Sequence, residues 1–158
     1  MTRIRPADPA DVATILGFVR DLAAFEREPE AVEATEESLA AALFGSQPAA
    51  EAVIAEDGEA LGFAIFFHNF STWTGKRGLY LEDLYVTPAA RGRGVGAALL
   101  RHLARIAVDR GCARFEWSVL DWNEPAIRFY RAMGAVGQEE WTVQRVSGDA
   151  LTRLASGE

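Results

Sequence analysis

The sequence predicts one mixed α/β domain, in which a twisted β-sheet is flanked by helices. Strand-like segments and segments with apolar residues at helical spacing follow one another in the order βααβββαβαβ. A length of 158 residues suits a single domain over residues 1–158. A hydrophobic fraction of 49% is enough to build a core and argues against a disordered chain.

The first half of the chain predicts a strand, two helices and a hairpin. "TRIRPA" is typical of a strand, and Asp8 before a proline begins a helix over "PADVATILGFVRDLAAFE". "TEESLAAALF" predicts a second helix that starts near Thr35. "EAVIAE" and "EALGFAIFFHNFS" predict two strands joined by a turn at Asp57-Gly58.

The second half predicts three strands and two helices. "GLYLEDLYV" is a strand that follows a turn around Gly75, and a glycine-rich stretch then leads into an amphipathic helix that Gly111 ends. "ARFEWSV" predicts a strand, "EPAIRFYRAM" a helix with Pro125 in its first turn, and "EEWTVQRV" a last strand. The apolar stripe of the first of these helices consists of Val95, Leu99, Leu103, Ile106 and Ala107.

Composition narrows the classes of partner. A formal charge of -7 argues against nucleic acid, and no apolar run approaches the ~20 residues that span a membrane. "MTRIRPADPADV" lacks the apolar core of a signal peptide, and Cys112 is the only cysteine, so we expect a cytoplasmic protein. Residues 1–70 hold thirteen acids against four bases, which suits a cationic substrate, or simply a soluble surface.

Three glycines lie in the stretch "YVTPAARGRGVGAALL", between a strand-like run and an apolar helix. Gly92, Gly94 and Gly96 alternate with other residues, and glycine is favoured where backbone must approach a ligand closely. Successive N–H groups at a helix N-terminus attract anions. The stretch therefore predicts a loop for a phosphate-bearing ligand, although a glycine-rich turn without a ligand has the same pattern.

Two other phosphate-binding motifs fit this stretch poorly. "GRGVGA" matches G-x-G-x-x-A, but in a dinucleotide fold the glycines follow the first strand directly. Here "TPAAR" intervenes, about ninety residues precede the motif, and Glu116 lies inside the next strand rather than at its end. No Gly-Lys-Ser/Thr occurs, so a Walker loop is excluded. A nicotinamide oxidoreductase is therefore a weak alternative.

The stretch also reads Arg-x-x-Gly-x-Gly/Ala from Arg91 to Ala97, and so resembles the pyrophosphate loop of the GNAT acetyltransferase superfamily. "LYLEDLYVTPAARGRGVGAALL" and "FEWSVLDWNEPAIRFYRAMGA" are similar to its diamine (spermidine/spermine) and thialysine branch. "FHNFSTWTGKRGLYLEDLYV" and "RPADPADVATILGFVRDLAAFE" extend the resemblance over nearly the whole chain. It implies the GNAT fold, a homodimer, and transfer of acetyl from acetyl-CoA to a primary amine of a polyamine, diamine or lysine analogue such as thialysine.

The resemblance also implies how acetyl-CoA is held. Loop amides and the following helix N-terminus take the diphosphate, arginines add charge, and backbone at the end of the preceding strand pairs with the pantetheine arm. Asn123 would bind the arm, although "WNEP" is also typical of a helix N-cap. The implied residues are Leu84, Tyr85, Val86, Arg91, Gly92, Arg93, Gly94, Val95, Gly96, Ala97, Asn123 and Tyr130.

Two residues are implied in proton transfer. Tyr130 lies seven residues after Asn123, so the two can share a helix face, and the matching tyrosine of the family protonates the CoA sulfur. The family places a proton acceptor, often acting through water, at Glu82. Adjacent strand residues face opposite sides, so we expect only one of Glu82 and Asp83 to reach the site. The alternative interpretations are that Tyr130 is an aromatic residue of the core and that the acids lie on a solvent-exposed face of the strand.

Carboxylates with aromatic walls suit a long cationic amine. By resemblance the amine lies near the end of the first helix, beside the strands that follow the cofactor loop. Phe25 replaces a tyrosine expected in polyamine-specific members, which keeps a lysine analogue open as the substrate. The implied residues are Phe25, Glu26, Glu82, Glu116, Trp117, Glu140 and Trp141; no metal-ligand spacing occurs.

A non-catalytic acyl-CoA-binding or sensor module on the same fold is the main alternative. Such a module would keep the loop from Arg91 to Ala97 but dispense with Tyr130 and Glu82. Both are present, so the sequence predicts an enzyme.

Overall fold

The centre of the fold is a five-stranded sheet in the order β1-β2-β3-β4-β5. A computed structural model describes residues 1–157. The first four strands are antiparallel and β5 pairs parallel with β4. The turns at Gly58 and Gly75 fall where the sequence predicts them, and both glycines have positive φ. The strands are β1 (Arg3–Pro6), β2 (Glu51–Asp57), β3 (Glu59–Ser71), β4 (Lys76–Val86) and β5 (Phe115–Trp117).

Residues 1–157 also contain five α-helices, of which three lie between strands and two follow β5. Three short 3-10 turns lie at Pro9–Asp11, Pro29–Ala31 and Pro88–Ala90. Thr35 caps the second helix, and the Thr35 and Ser38 side chains accept each other's backbone N–H groups. Within residues 1–157, no helix has the length and apolar character needed to cross a membrane. The helices are α1 (Val12–Phe25), α2 (Glu36–Phe44), α3 (Val95–Asp109), α4 (Glu124–Ala132) and α5 (Gly148–Ser156).

Helices cover both faces of the sheet. On one, the α1 face, the Phe18 ring of α1 lies 5.5 Å from the Tyr85 ring of β4. On the other, the α3 face, a Cβ on Gly96 of α3 would lie 3.8 Å from the Val86 side chain and 3.9 Å from that of Leu84. The expected helix-flanked mixed sheet is therefore confirmed. The core of the α1 face consists of Ile15, Phe18, Leu43, Ala52, Ile54, Phe63 and Tyr85.

An extra residue interrupts the ladder between β3 and β4. The pairs on its two sides are Ile65 with Asp83 and Phe66 with Leu81. Glu82 is thereby left out of the ladder as a β-bulge. Because a bulge shifts the side-chain alternation by one residue, Tyr80, Asp83 and Tyr85 all lie on the α1 face.

The chain divides into two compact units, Met1–Leu120 and Asp121–Glu158. The first contains all five strands and α1 to α3, and its buried side chains form the core. The second contains α4 and α5, and none of its described residues is fully buried. A single domain over residues 1–158 stays a prediction.

The predicted last strand is wrong. The segment "EEWTVQRV" carries no ladder, and α5 follows it at the C-terminal end of the described chain. Trp141 is 71% exposed and Val143 is 82% exposed. Alternating polar and apolar residues identify a segment with two different faces. A strand forms only where a neighbouring backbone pairs with it, and the alternation does not show whether such a neighbour exists.

We expect Gly62→Ala to lower the free energy of unfolding by about 1–3 kcal/mol, as overpacking does. A Cβ on Gly62 would lie 2.3 Å from the Tyr85 carbonyl oxygen, so β3 and β4 would have to separate. Urea unfolding measures the change. Gly17→Ala in α1 is the control, because nothing lies within 4 Å of its Cβ position; it should stabilise by up to about 1 kcal/mol. Equal stability of Gly62→Ala and the parent would contradict this packing.

Candidate active site

The outer edge of β4 changes character at the bulge. β5 pairs with β4 only from Leu79 to Leu81. Beyond that point, within residues 1–157, β4 keeps its β3 partner but has no strand on its other edge, from Glu82 to Val86. This leaves the outward-facing backbone N–H and C=O groups of the Leu84–Val86 segment to pair with an extended ligand, as a strand would, while the Tyr85 carbonyl faces β3.

The glycine-rich loop joins this open edge to α3. Gly92 and Gly94 both have φ of +79°, and nothing lies within 4 Å of their Cβ positions. Gly94 is the N-cap of α3 and carries no side chain to satisfy the first amides of the helix. The loop and the start of α3 therefore present backbone amides with no side-chain cap, and such amides attract anions. Val95 is buried, while Gly96 and Ala97 complete the first turn.

The two arginines of the loop have different partners. The Nε–H of Arg91 donates to the Val86 carbonyl at 3.2 Å, and its guanidinium lies 5.8 Å from both the Phe25 and Tyr85 ring centroids. Arg93 instead lies 3.7 Å from the Asp57 carboxylate. Arg91 is thus turned toward the end of α1, and Arg93 toward the turn between β2 and β3.

Three carboxylates meet where α1 ends over β4. Asp83 is half-buried on the α1 face, whereas Glu82 is exposed at the bulge. Burial, with the charges of Glu82 and Glu26, raises the pKa of Asp83 from 3.8 to about 6. Glu26 is exposed at the end of α1, and the part of its carboxyl that is withdrawn from water raises its pKa above the ordinary value. Among the described residues no cation offsets either rise, so the cluster is suited to a positively charged ligand.

Asp83 is the residue that sequence reasoning missed. Strict alternation along β4 would separate Asp83 from Tyr80, and the sequence assigns the site to Glu82. The bulge changes the parity and puts Asp83 on the face that α1 covers. The signal was available in "LEDL", because two adjacent acids in an apolar strand are typical of a bulge or a site, but it does not say which acid is buried.

β5 contributes one predicted residue to the α1 face. Glu116 pairs with Tyr80, and the side chain of Asn69 lies 3.5 Å from the Glu116 carboxylate. Trp117 pairs with Leu81 and so belongs to the α3 face. The structure therefore separates Glu116 from Trp117, which the sequence analysis grouped together.

The second unit holds the remaining predicted residues. Asn123 is the N-cap of α4, and its side-chain oxygen accepts the Ala126 N–H at 3.4 Å. Tyr130 is half-buried two turns further on, with its ring 5.5 Å from that of Phe129. Glu140 and Trp141 lie in the exposed segment between α4 and α5. The cap confirms the structural interpretation of Asn123; its binding role stays a prediction.

Histidines and the cysteine take no part in this cluster. His68 lies 3.4 Å from Arg110, which forms an ion pair with Glu51 at 2.6 Å, and His102 is half-buried on α3. Within residues 1–157, no group of three His, Cys, Asp or Glu side chains has the arrangement of a metal site.

Known proteins match this architecture over most of its length. The acetyltransferase (GNAT) family model matches residues 16–135, from within α1 to beyond α4. A thialysine N-epsilon-acetyltransferase of Mus musculus is 38% identical over 98% of this chain and 97% of its own. An L-ornithine N5-acetyltransferase of Arabidopsis thaliana is 32% identical over 97% and 87%, respectively. The solved structure of an integron cassette protein from the V. cholerae mobile metagenome has a TM-score of 0.81 at 30% identity, covering 98% of this chain and 97% of that one.

Gly94→Glu should abolish CoA binding, because it adds a negative charge and a side chain to the backbone cradle. Isothermal titration with CoA measures the loss. Gly75→Glu is the matched control, since Gly75 also has positive φ and open space but lies in the hairpin between β3 and β4. Unchanged CoA affinity in a folded Gly94→Glu protein would remove the loop from the site.

Asp83→Asn should make the protein more stable than the parent at pH 8, with a smaller gain at pH 4. The pKa of Asp83 is raised to about 6, so the folded state holds its proton more tightly than the unfolded state. The contribution of the protonated Asp83 carboxyl to the free energy of unfolding is therefore fully present below about pH 4, and it is lost as the pH rises through about 6. Melting temperatures at the two pH values measure the difference. Glu59→Gln, at an exposed position in β3, is the control; a pH-independent gain for Asp83→Asn would contradict the argument.

Proposed function

The chain belongs to the GNAT family of acetyltransferases, and on that premise we propose that it acetylates a primary amine of a small cationic substrate. The transfer of acetyl to an amine is the activity of its relatives, which are named for thialysine and L-ornithine. We propose the same substrate class here: a lysine analogue such as thialysine, a diamine or a polyamine. The acidic cluster of Glu26 and Asp83 beside the open edge of β4 is the observation that carries the proposal.

The described residues fit acetyl-CoA as the co-substrate. The loop from Gly92 to Ala97 offers amides and a helix N-terminus to the diphosphate. The family resemblance also assigns Arg93 to the diphosphate. The backbone of Leu84–Val86 offers an outer strand edge without a strand partner to the pantetheine arm. When bound, acetyl-CoA supplies an activated acetyl thioester.

The amine must lose its proton before its nitrogen can attack. Glu82, acting through water, is the proton acceptor that the family resemblance implies, and Asp83 is placed beside it with a pKa of about 6, near the useful range for a base. The new bond joins the amine nitrogen to the acetyl carbon while the carbon–sulfur bond breaks. Tyr130 protonates the departing thiolate and is reprotonated as the nitrogen gives up its second proton. No acyl-enzyme is required.

The acidic cluster of Glu26 and Asp83 is suited to a substrate that carries a second positive charge. Once the reacting amine is neutral, it no longer gains from Glu26 or Asp83 as a cation, but a distal ammonium still does. Glu116 lies on the same face and extends the acidic surface along the sheet. We therefore propose a preference for substrates with two amines.

The oligomeric state and the cellular compartment are proposed from the family resemblance and from the composition. We propose a homodimer, which the family resemblance implies, and a cytoplasmic location, which the composition favours. No nucleic-acid or membrane role is proposed, since the net charge of -7 opposes contact with phosphate backbones.

The function is tested by release of CoA thiol with a panel of thialysine, ornithine, spermidine and 1,4-diaminobutane. Butylamine is the matched control, because it differs from 1,4-diaminobutane by the distal ammonium. We expect a kcat/KM for the diamine at least tenfold above that for butylamine. CoA binding without turnover of any amine would instead support the sensor module, and equal turnover of the matched pair would remove the acidic cluster from recognition.

Tyr130→Phe should lower kcat by roughly 10²–10⁴, the usual contribution of a positioned general acid. It removes only the hydroxyl, so the ring still packs beside Phe129, and acetyl-CoA affinity should change by no more than one hydrogen bond, about 0.5–1.5 kcal/mol. The measurement is kcat with the best amine of the panel, with melting temperature as the control for folding. Turnover within about threefold of the parent, under 1 kcal/mol in barrier, would remove Tyr130 from the mechanism.

A further inference from the structure

Arg91 is assigned to the cofactor by its motif, yet its side chain lies on the α1 side of β4. Its Nε–H donates to the Val86 carbonyl, and its guanidinium lies 5.8 Å from the rings of Phe25 and Tyr85. Phe25 is the last residue of α1, and Tyr85 belongs to the core of the α1 face. One planar cation therefore joins the end of a helix to the strand beneath it.

The last turn of α1 lies at the surface of the protein. α1 ends at Phe25, Glu26 is its C-cap, and Arg27 adopts a positive φ of 65°, so the chain turns away at once. Phe25 is 48% exposed and Glu26 is exposed, unlike the buried residues of the helix's middle. The position of Glu26 over β4 thus depends on how firmly the last turn of α1 is anchored.

Arg93 gives an internal comparison. It belongs to the same loop and carries the same charge, but its guanidinium pairs with Asp57 between β2 and β3. The two arginines lie two positions apart in the same loop. The same substitution at either position therefore has the same effect on the charge of the loop. Only Arg91 contacts the end of α1.

We infer that Arg91 is a positioning residue for the amine site: its guanidinium holds Phe25 against Tyr85 and so fixes Glu26 opposite Asp83. The inference rests on the proposed function, because it assigns the amine to the Glu26–Asp83 cluster. The inference goes beyond that function in one respect: Arg91, a residue of the glycine-rich loop, affects the affinity for the amine through its contact with the end of α1. The guanidinium is required, because one group must lie near two rings while its Nε–H reaches the Val86 carbonyl.

Arg91→Lys tests this with the charge retained. Lysine cannot stack on both rings and also make the Nε–H contact, so the KM for the diamine should rise about three- to tenfold while kcat changes less than twofold. Arg93→Lys is the comparison within the loop, and any change it causes should fall on the acetyl-CoA KM. Arg101→Lys, at an exposed position of α3, is the control that should leave the diamine KM within twofold of the parent. A general loss of structure would lower kcat and raise both KM values together. Equal effects of Arg91→Lys and Arg93→Lys, confined to the acetyl-CoA KM, would overturn the inference.

A double-mutant cycle identifies the route of the effect. Phe25→Leu removes the ring on which Arg91 stacks and should itself raise the diamine KM. If Arg91 acts through Phe25, adding Arg91→Lys to Phe25→Leu should raise the KM by less than twofold further. Independent, multiplicative effects would show that Arg91 acts by another route and would overturn the inference.

Hydrogen exchange gives a readout that does not depend on turnover. The amides of Glu26 and Glu28 donate to Leu22 and Ala23, which makes them reporters of the last turn of α1. Arg91→Lys should speed their exchange about tenfold, whereas Arg93→Lys should not. If the parent acetylates no amine but this exchange pattern holds, the proposed function fails and the anchoring stands. If the parent is active and exchange is unchanged, the anchoring alone fails.

Discussion

A single extra residue in β4 determines how the site is built. The bulge at Glu82 falls where the β5 ladder ends, and a bulge bends and twists its strand. Two consequences follow from this one irregularity. The outer edge of β4 opens from Glu82 to Val86, and the alternation shifts so that Asp83 joins Tyr85 on the α1 face. Without the bulge, strict alternation would put Asp83 on the α3 face with Leu81.

The open edge of β4 and the glycine-rich loop both present backbone groups that have no hydrogen-bond partner within the secondary structure. Backbone groups that lack a ladder partner are tolerated where water or a ligand can reach them. The outward-facing backbone groups of the Leu84–Val86 segment and the first amides of α3 are such groups. Gly92 and Gly94 add no side chains to the loop between them. The glycines and the gap between β4 and β5 therefore belong to one continuous surface, from the strand edge to the start of α3.

Sequence reasoning predicted most elements because each has a local cause. Thr35 caps α2, Gly58 and Gly75 form turns with positive φ, and the glycine stretch leads into α3. It was wrong for the last strand, because pairing depends on a distant backbone that no local pattern describes. For the site, the loop followed from glycine spacing, but the burial of Asp83 did not. A bulge reverses the face of every later residue, and two adjacent acids are compatible with both parities.

Asp83 has an energetic consequence that connects stability with chemistry. A carboxylate held with a pKa of about 6, and without a described cation beside it, destabilises the folded protein at neutral pH. A bound ammonium would remove that penalty by supplying the missing charge, so the binding energy of a cationic substrate includes relief of repulsion between Asp83, Glu82 and Glu26. A neutral ligand of the same shape gains none of this. In the proposed amine site, recognition of charge therefore rests on acids whose mutual repulsion a bound cation relieves at neutral pH.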